Sequence, residues 1–122
     1  MNNAGFVLGV ERVGEISAAD YESMFQVNVF GLIAVTQLLV NGPRFPFRCI
    51  INSRIKSIWY YVDFKTRNSG HIINLGSVAG REPYVGGGIY CATKHAVRSF
   101  TGTLLRELVN TNIRVTEVQP GS

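Results

Sequence analysis

Residues 70–77 read Gly-His-Ile-Ile-Asn-Leu-Gly-Ser, an apolar run held between Gly70 and Gly76 with β-branched side chains at Ile72 and Ile73. A run this short, bounded by turn residues, suits a buried strand of a parallel sheet better than a helix. Ser77 then falls just beyond the carboxyl end of the strand, the edge at which open α/β sheets bind ligands.

The flanking sequence builds the rest of the fold. Downstream, residues 80–88 hold Pro83 and the consecutive glycines Gly86, Gly87 and Gly88, which marks a loop. Ile89, Ala92, Ala96, Val97, Phe100, Leu104, Leu105 and Leu108 then recur at helical spacing, and Asn110 to Asn112 supply a stop. Ile113, Val115 and Val118 form a last strand closed by Pro120 and Gly121. Upstream, Ser17 is placed to cap a helix that carries Tyr21, Met24, Phe25, Val29, Leu32, Ile33 and Val40 on one side. Asn41, Gly42 and Pro43 end it, and residues 2–9 read as a strand end or loop. Helix, strand, helix, strand gives an α/β fold with a parallel sheet.

Composition narrows the function classes. The 122 residues suit one domain, too short for a complete two-half dinucleotide fold, and 46% hydrophobic content indicates a packed chain. The longest apolar runs stop well before about 18 residues, so no membrane span is expected. The start, Met-Asn-Asn-Ala-Gly, lacks the pattern of a secretory signal, and a cytoplasmic location is expected. Cys49 and Cys91 stand far apart without a Cys-x-x-Cys pattern or clustered histidines, so two free thiols and no metal are expected. Of the net charge of +4, Arg44, Arg48, Arg54 and Lys56 against Asp63 place +3 within residues 41–63. The rest is close to neutral, which does not describe a nucleic-acid surface.

The chemistry lies in Tyr-Cys-Ala-Thr-Lys, where Tyr90 and Lys94 are four residues apart. A phenol with a reference pKa of about 10 is a poor proton donor or acceptor at neutral pH. An ammonium one helical turn away favours its anion. The hydroxyl of Ser77, from a separate strand end, can then bind the same substrate oxygen. Plainer roles also fit: a half-buried helix tyrosine for Tyr90, a turn cap for Ser77, a structural amide for Asn28. His71, His95 and Cys91 read as surface or packing residues.

In this order, Asn-Asn-Ala-Gly, a strand ending in serine, a glycine loop, Tyr-x-x-x-Lys opening a helix and a strand closed by Pro-Gly resemble the short-chain dehydrogenase/reductase family. The resemblance covers residues 2–40 and about 64–122. It implies a doubly wound Rossmann sheet, present here as its carboxyl-side half without the first strands. It also implies Tyr90 as general acid/base, Lys94 as its cationic partner and ribose ligand, Ser77 as the group that polarises the substrate oxygen, and Asn28 as a fourth member acting through a helix irregularity and a water. Asn3, Ala4 and Gly5 would support the sheet beside the cofactor, with Pro120 and Gly121 on the nicotinamide side. Asn-Leu-Gly-Ser-Val-Ala-Gly-Arg and Ile-Tyr-Cys-Ala-Thr-Lys are most similar to NADP-dependent 3-hydroxy acid (serine-type) dehydrogenases. A small hydroxyl or carbonyl substrate, NADP or else NAD, and a dimeric or tetrameric parent pairing through 17–40 and 88–110 follow from that resemblance, with no metal, nucleic acid or membrane partner.

Two departures stand out. The phosphate-binding Gly-x-x-x-Gly-x-Gly turn is missing from this sequence, so the adenine-side half is expected to precede Met1 and the chain to bind cofactor poorly. Asn28 and Ser77 are 49 residues apart, roughly twenty more than the family layout needs. The excess maps to residues 41–63, read as an insertion foreign to the family, such as a translated intron. Its basic and aromatic residues offer a lesser reading as a membrane-surface or single-strand nucleic-acid patch. A catalytically inactive fragment is the rival to the enzyme.

Overall fold

A computed structural model describes residues 1–41 and 64–121. The expected insertion, apart from Asn41, and Cys49 lie outside the described residues.

Helix α1 spans Ala18–Phe25. Ser17 starts it by accepting from the Asp20 backbone N–H at 3.2 Å and donating to the Asp20 carboxylate at 2.7 Å. The helix then widens into a π segment, Gln26–Gly31, and tightens again as α2, Leu32–Asn41. A π turn inserts one residue into the helical ladder. Here Asn28 and Val29 in that turn are both buried. The single long helix expected from the periodicity is thus present, with a break that the periodicity does not show.

As a unit of 24 residues, Ala18–Asn41 is apolar and long enough by composition to span a membrane. This corrects the expectation that the apolar stretches are too short. The same helix turns Asn28 and Thr36 inward, where they are 1% exposed and hydrogen-bonded. Such a face suits a helix packed against a sheet.

The short helix α3, Phe64–Arg67, leads into strand β1, Gly70–Leu75. Asn68 makes the turn with φ of 47°, a left-handed conformation that asparagine tolerates, and its side chain accepts from the Asn112 N–H at 3.0 Å. Helix α4, Gly88–Glu107, follows and returns the chain to strand β2, Ile113–Val118. The two strands run parallel, with Ile72 opposite Val115 and Asn74 opposite Glu117. Asn2 pairs along the other edge of β1, donating to Ile73 O at 2.8 Å and accepting from Leu75 N at 3.2 Å. β1 therefore has a neighbour along each edge, β2 on one side and the bridge at Asn2 on the other.

Its burial is one-sided. Ile72 and Asn74 are buried, whereas His71, Ile73 and Leu75 are half-buried. The strand expected to be buried throughout is thus covered fully on one face only among the described residues. On that face Val40, Ile72, Leu104, Leu108 and Ile113 form the core, with Phe64, Phe100 and Val115 packed on it. Each such side chain contributes about 1.5–3 kcal/mol on burial, so this cluster fixes α2 and α4 to the sheet. Polar bonds set the register. Asn2 Nδ2 donates to Asn74 Oδ1 at 2.9 Å and to Thr36 Oγ1 at 3.2 Å, and Asn74 Nδ2 donates to Thr101 Oγ1 at 2.9 Å.

Candidate active site

Four pieces of backbone converge at the carboxyl end of β1. Ser77 leaves the strand and caps a 3-10 turn, Val78–Gly80, its Oγ accepting from the Ala79 N–H at 3.1 Å. That bond uses a lone pair of the hydroxyl and leaves its hydrogen to donate elsewhere. The turn-cap and substrate-binding readings of Ser77 are therefore compatible.

Tyr90 and Lys94 lie on the first turns of α4. Lys94 is 6% exposed, and its Nζ donates to Leu75 O at 3.1 Å. The same nitrogen stands 5.6 Å from the centroid of the Tyr90 ring, within cation–π range. Burial pulls the Lys94 pKa below the lysine norm of 10.5, and the Glu117 carboxylate pulls it back up. A cation is thus held beside the phenol by geometry, at an electrostatic cost from burial.

Asn28 braces the opposite wall. Its Oδ1 accepts from Phe6 N at 2.9 Å, and its Nδ2 donates to Phe6 O at 2.9 Å and to Thr93 Oγ1 at 3.2 Å. Thr93 in turn donates to Tyr90 O at 2.8 Å. The amide thereby ties the segment after Gly5 to α4. A Cβ at Gly5 would stand 3.2 Å from Asn28 Oδ1 and 3.6 Å from Lys94 Nζ, so glycine lets this segment approach both.

A cavity of about 230 Å³ is shared by these groups: Ser77, Tyr90 and Lys94 line it together with Asn3, Ala4, Gly5, Pro120 and Gly121. Pockets for drug-sized ligands begin at about 300 Å³, so this one suits a small substrate or one end of a larger molecule. A larger hollow of about 870 Å³ runs beside α1, lined by Phe6, Tyr21, Phe25 and Phe30 among others, and holds none of the expected site residues.

A family model for short chain dehydrogenases matches residues 50–122. The chain belongs to the short-chain dehydrogenase family. An NADP-dependent 3-hydroxy acid dehydrogenase of Schizosaccharomyces pombe is 38% identical over 121 residues, which is 99% of this chain and 39% of that protein. The enzyme of the same name, YdfG, of Escherichia coli K12 is also 38% identical over 121 residues, covering 99% and 40%. Among solved structures, a closed form of serine dehydrogenase complexed with NADP+ matches with a TM-score of 0.79 at 38% identity, covering 98% of this chain and 40% of that one. The chain spans about 40% of the length of the curated relatives it matches. The α/β arrangement expected from the sequence is that of these Rossmann-type neighbours.

In this short-chain dehydrogenase chain, all the residues singled out from the sequence line the cavity except Asn28, which stands behind its wall. Sequence reasoning overlooked Thr93, Asn2, Asn74 and Glu117. Thr93 stood within the Tyr-x-x-x-Lys motif and Asn2 within the Asn-Asn-Ala-Gly motif, but their partners are 65 and 72 residues away. No local pattern reports such pairs.

Proposed function

We propose that the chain carries the catalytic end of an oxidoreductase that exchanges a hydroxyl and a carbonyl on a small 3-hydroxy acid, with NADP(H) as redox partner. The observation that carries this reading is the meeting of Ser77, Tyr90 and Lys94 around one small cavity. The identity to NADP-dependent 3-hydroxy acid dehydrogenases supports the substrate class and the cofactor.

The lining fits the nicotinamide end of such a cofactor. Ala4, Gly5 and Gly121 keep the walls low, and Lys94 gives one N–H to Leu75 O, leaving others for a ribose hydroxyl. When bound, NADP(H) supplies or accepts the hydride. During reduction Tyr90 donates its phenolic proton to the carbonyl oxygen as negative charge develops there. Ser77 donates a hydrogen bond to the same oxygen and lowers the cost of that charge. The Lys94 ammonium stabilises the negative charge left on the Tyr90 oxygen. Oxidation runs these transfers backwards, with the Tyr90 oxygen taking the hydroxyl proton. Asn28 acts as a positioning residue, holding Gly5 and α4 at a fixed separation.

The reading extends to a cytoplasmic enzyme that pairs with copies of itself through α1, α2 and α4. Exposed Val35 and Leu38 on α2, Leu105 on α4 and Phe30 in the π segment between α1 and α2 support that pairing.

Titration of NADPH fluorescence with the purified chain tests the proposal. A change in emission that saturates only in the millimolar range of NADPH, in keeping with the missing phosphate-binding turn, together with turnover of serine in the presence of NADP+, is the expected result. Emission unchanged at millimolar NADPH leaves the inactive-fragment reading.

A further inference from the structure

Glu117 sits in β2 opposite Asn74, so the two side chains leave the same face of the sheet. α4 covers that face, since Asn74 reaches Thr101. Oε1 of Glu117 is buried and has no hydrogen-bond partner among the described residues. A buried carboxylate oxygen without a partner is costly unless a counter-charge lies near.

Gly76 makes the space for it, because a Cβ there would collide with the Glu117 carboxylate. Gly76 directly follows Leu75, whose carbonyl holds the Lys94 ammonium. The carboxylate therefore lies beside the strand end to which the buried lysine is tethered. We propose that Glu117 is a positioning residue that keeps Lys94 in its charged form and fixes the ammonium at the end of β1.

The other groups around Lys94 do not supply that charge. Tyr90, one turn earlier, presents its ring. Arg98, one turn later, directs its guanidinium to Gly80 O at 3.5 Å. Asn28 from the π segment is neutral, and neither residues 3–5 nor Val78–Gly80 bring an ionisable side chain. Burial depresses the Lys94 pKa, and Glu117 is the acid that opposes it. The consequence for catalysis rests on the Tyr90 and Lys94 roles proposed above; the charge pairing itself does not.

The test is lysine side-chain NMR of the full chain, following the Lys94 13Cε and 15Nζ signals with pH and assigning them by their loss in Lys94→Met. Glu117→Gln should lower the Lys94 midpoint by about one pH unit, a roughly tenfold loss of proton affinity, and Glu117→Asp should restore most of it. Should Glu117→Gln not fold, Gly76→Ala serves in its place: the added methyl displaces the Glu117 carboxylate and should lower the Lys94 midpoint in the same direction. A Lys94 midpoint unmoved by Glu117→Gln, or by Gly76→Ala in its place, overturns the proposal. Neither titration uses cofactor, so failure to bind NADPH would sink the catalytic reading while leaving this one standing.

Discussion

Gly80 rests against the backbone of Lys94 so closely that a Cβ on it would stand 2.9 Å from the Lys94 carbonyl oxygen. The turn capped by Ser77 is thereby seated directly on the helix that carries Tyr90 and Lys94. Packing that tight cannot give way without moving one of the two.

Gly80→Ala should therefore separate the turn from α4. The expected cost is about 1–3 kcal/mol of stability, read by urea unfolding. Gly102, also glycine but on the open side of α4 with nothing within 4 Å of its missing Cβ, is the control. Gly102→Ala should stabilise by about 0.5–1 kcal/mol, because alanine is the better helix former. Equal effects at the two positions would contradict the close seating.

Asn28→Ala removes three hydrogen bonds and leaves the Phe6 amide groups without their partner. The expected loss is about 2–4 kcal/mol by denaturant unfolding. Thr93→Val removes the hydroxyl that Asn28 Nδ2 donates to and should cost about 1–2 kcal/mol. If Asn28→Ala costs no more than Thr93→Val, the bracing role fails.

Much of this was legible in the sequence because it depends on local chemistry. The spacing of Tyr90 and Lys94 places both on one helix face whatever the rest of the chain does. The short apolar run after Gly70, and Ser17 before an amphipathic stretch, are equally local. The π segment around Asn28 was invisible to periodicity, since an inserted residue leaves apolar spacings of three and four intact on either side. The pairing of Asn2 with Asn74 depends on chain segments brought together by folding. Glu117 lies on the face of β2 that holds Ile113 and Val115, and nothing local in the sequence marks it apart from other polar residues. The burial of its Oε1 follows from Gly76, just beyond β1, having no side chain.

A pH effect follows from Lys94. Its pKa in the folded chain is lowered from 10.5, chiefly by burial. Between the folded midpoint and 10.5 the unfolded chain binds more protons, so stability rises with pH across that window and levels off above it. The difference in unfolding free energy between the chain and Lys94→Met should climb as pH nears 10.5 from below. A difference that falls with rising pH would show that Lys94 is instead stabilised as a cation by folding.

Val40, near the end of α2, and Phe64, at the start of α3, belong to one core cluster. The two chain ends that flank residues 42–63 are thus anchored together. We expect a chain lacking residues 42–63, with Asn41 linked to Phe64 through a short glycine-serine bridge, to keep its far-ultraviolet circular dichroism and its unfolding midpoint. Loss of the cooperative transition would show that the segment belongs to the fold and is no insertion.

The most direct measurement is turnover of a small 3-hydroxy acid with NADP+ by the chain and by Tyr90→Phe, each with its NADPH affinity determined separately. Removing the phenolic oxygen should lower kcat by about 10²–10⁴-fold and leave NADPH affinity nearly unchanged. A Tyr90→Phe chain that turns over substrate at the original rate would contradict the role of Tyr90 as acid and base.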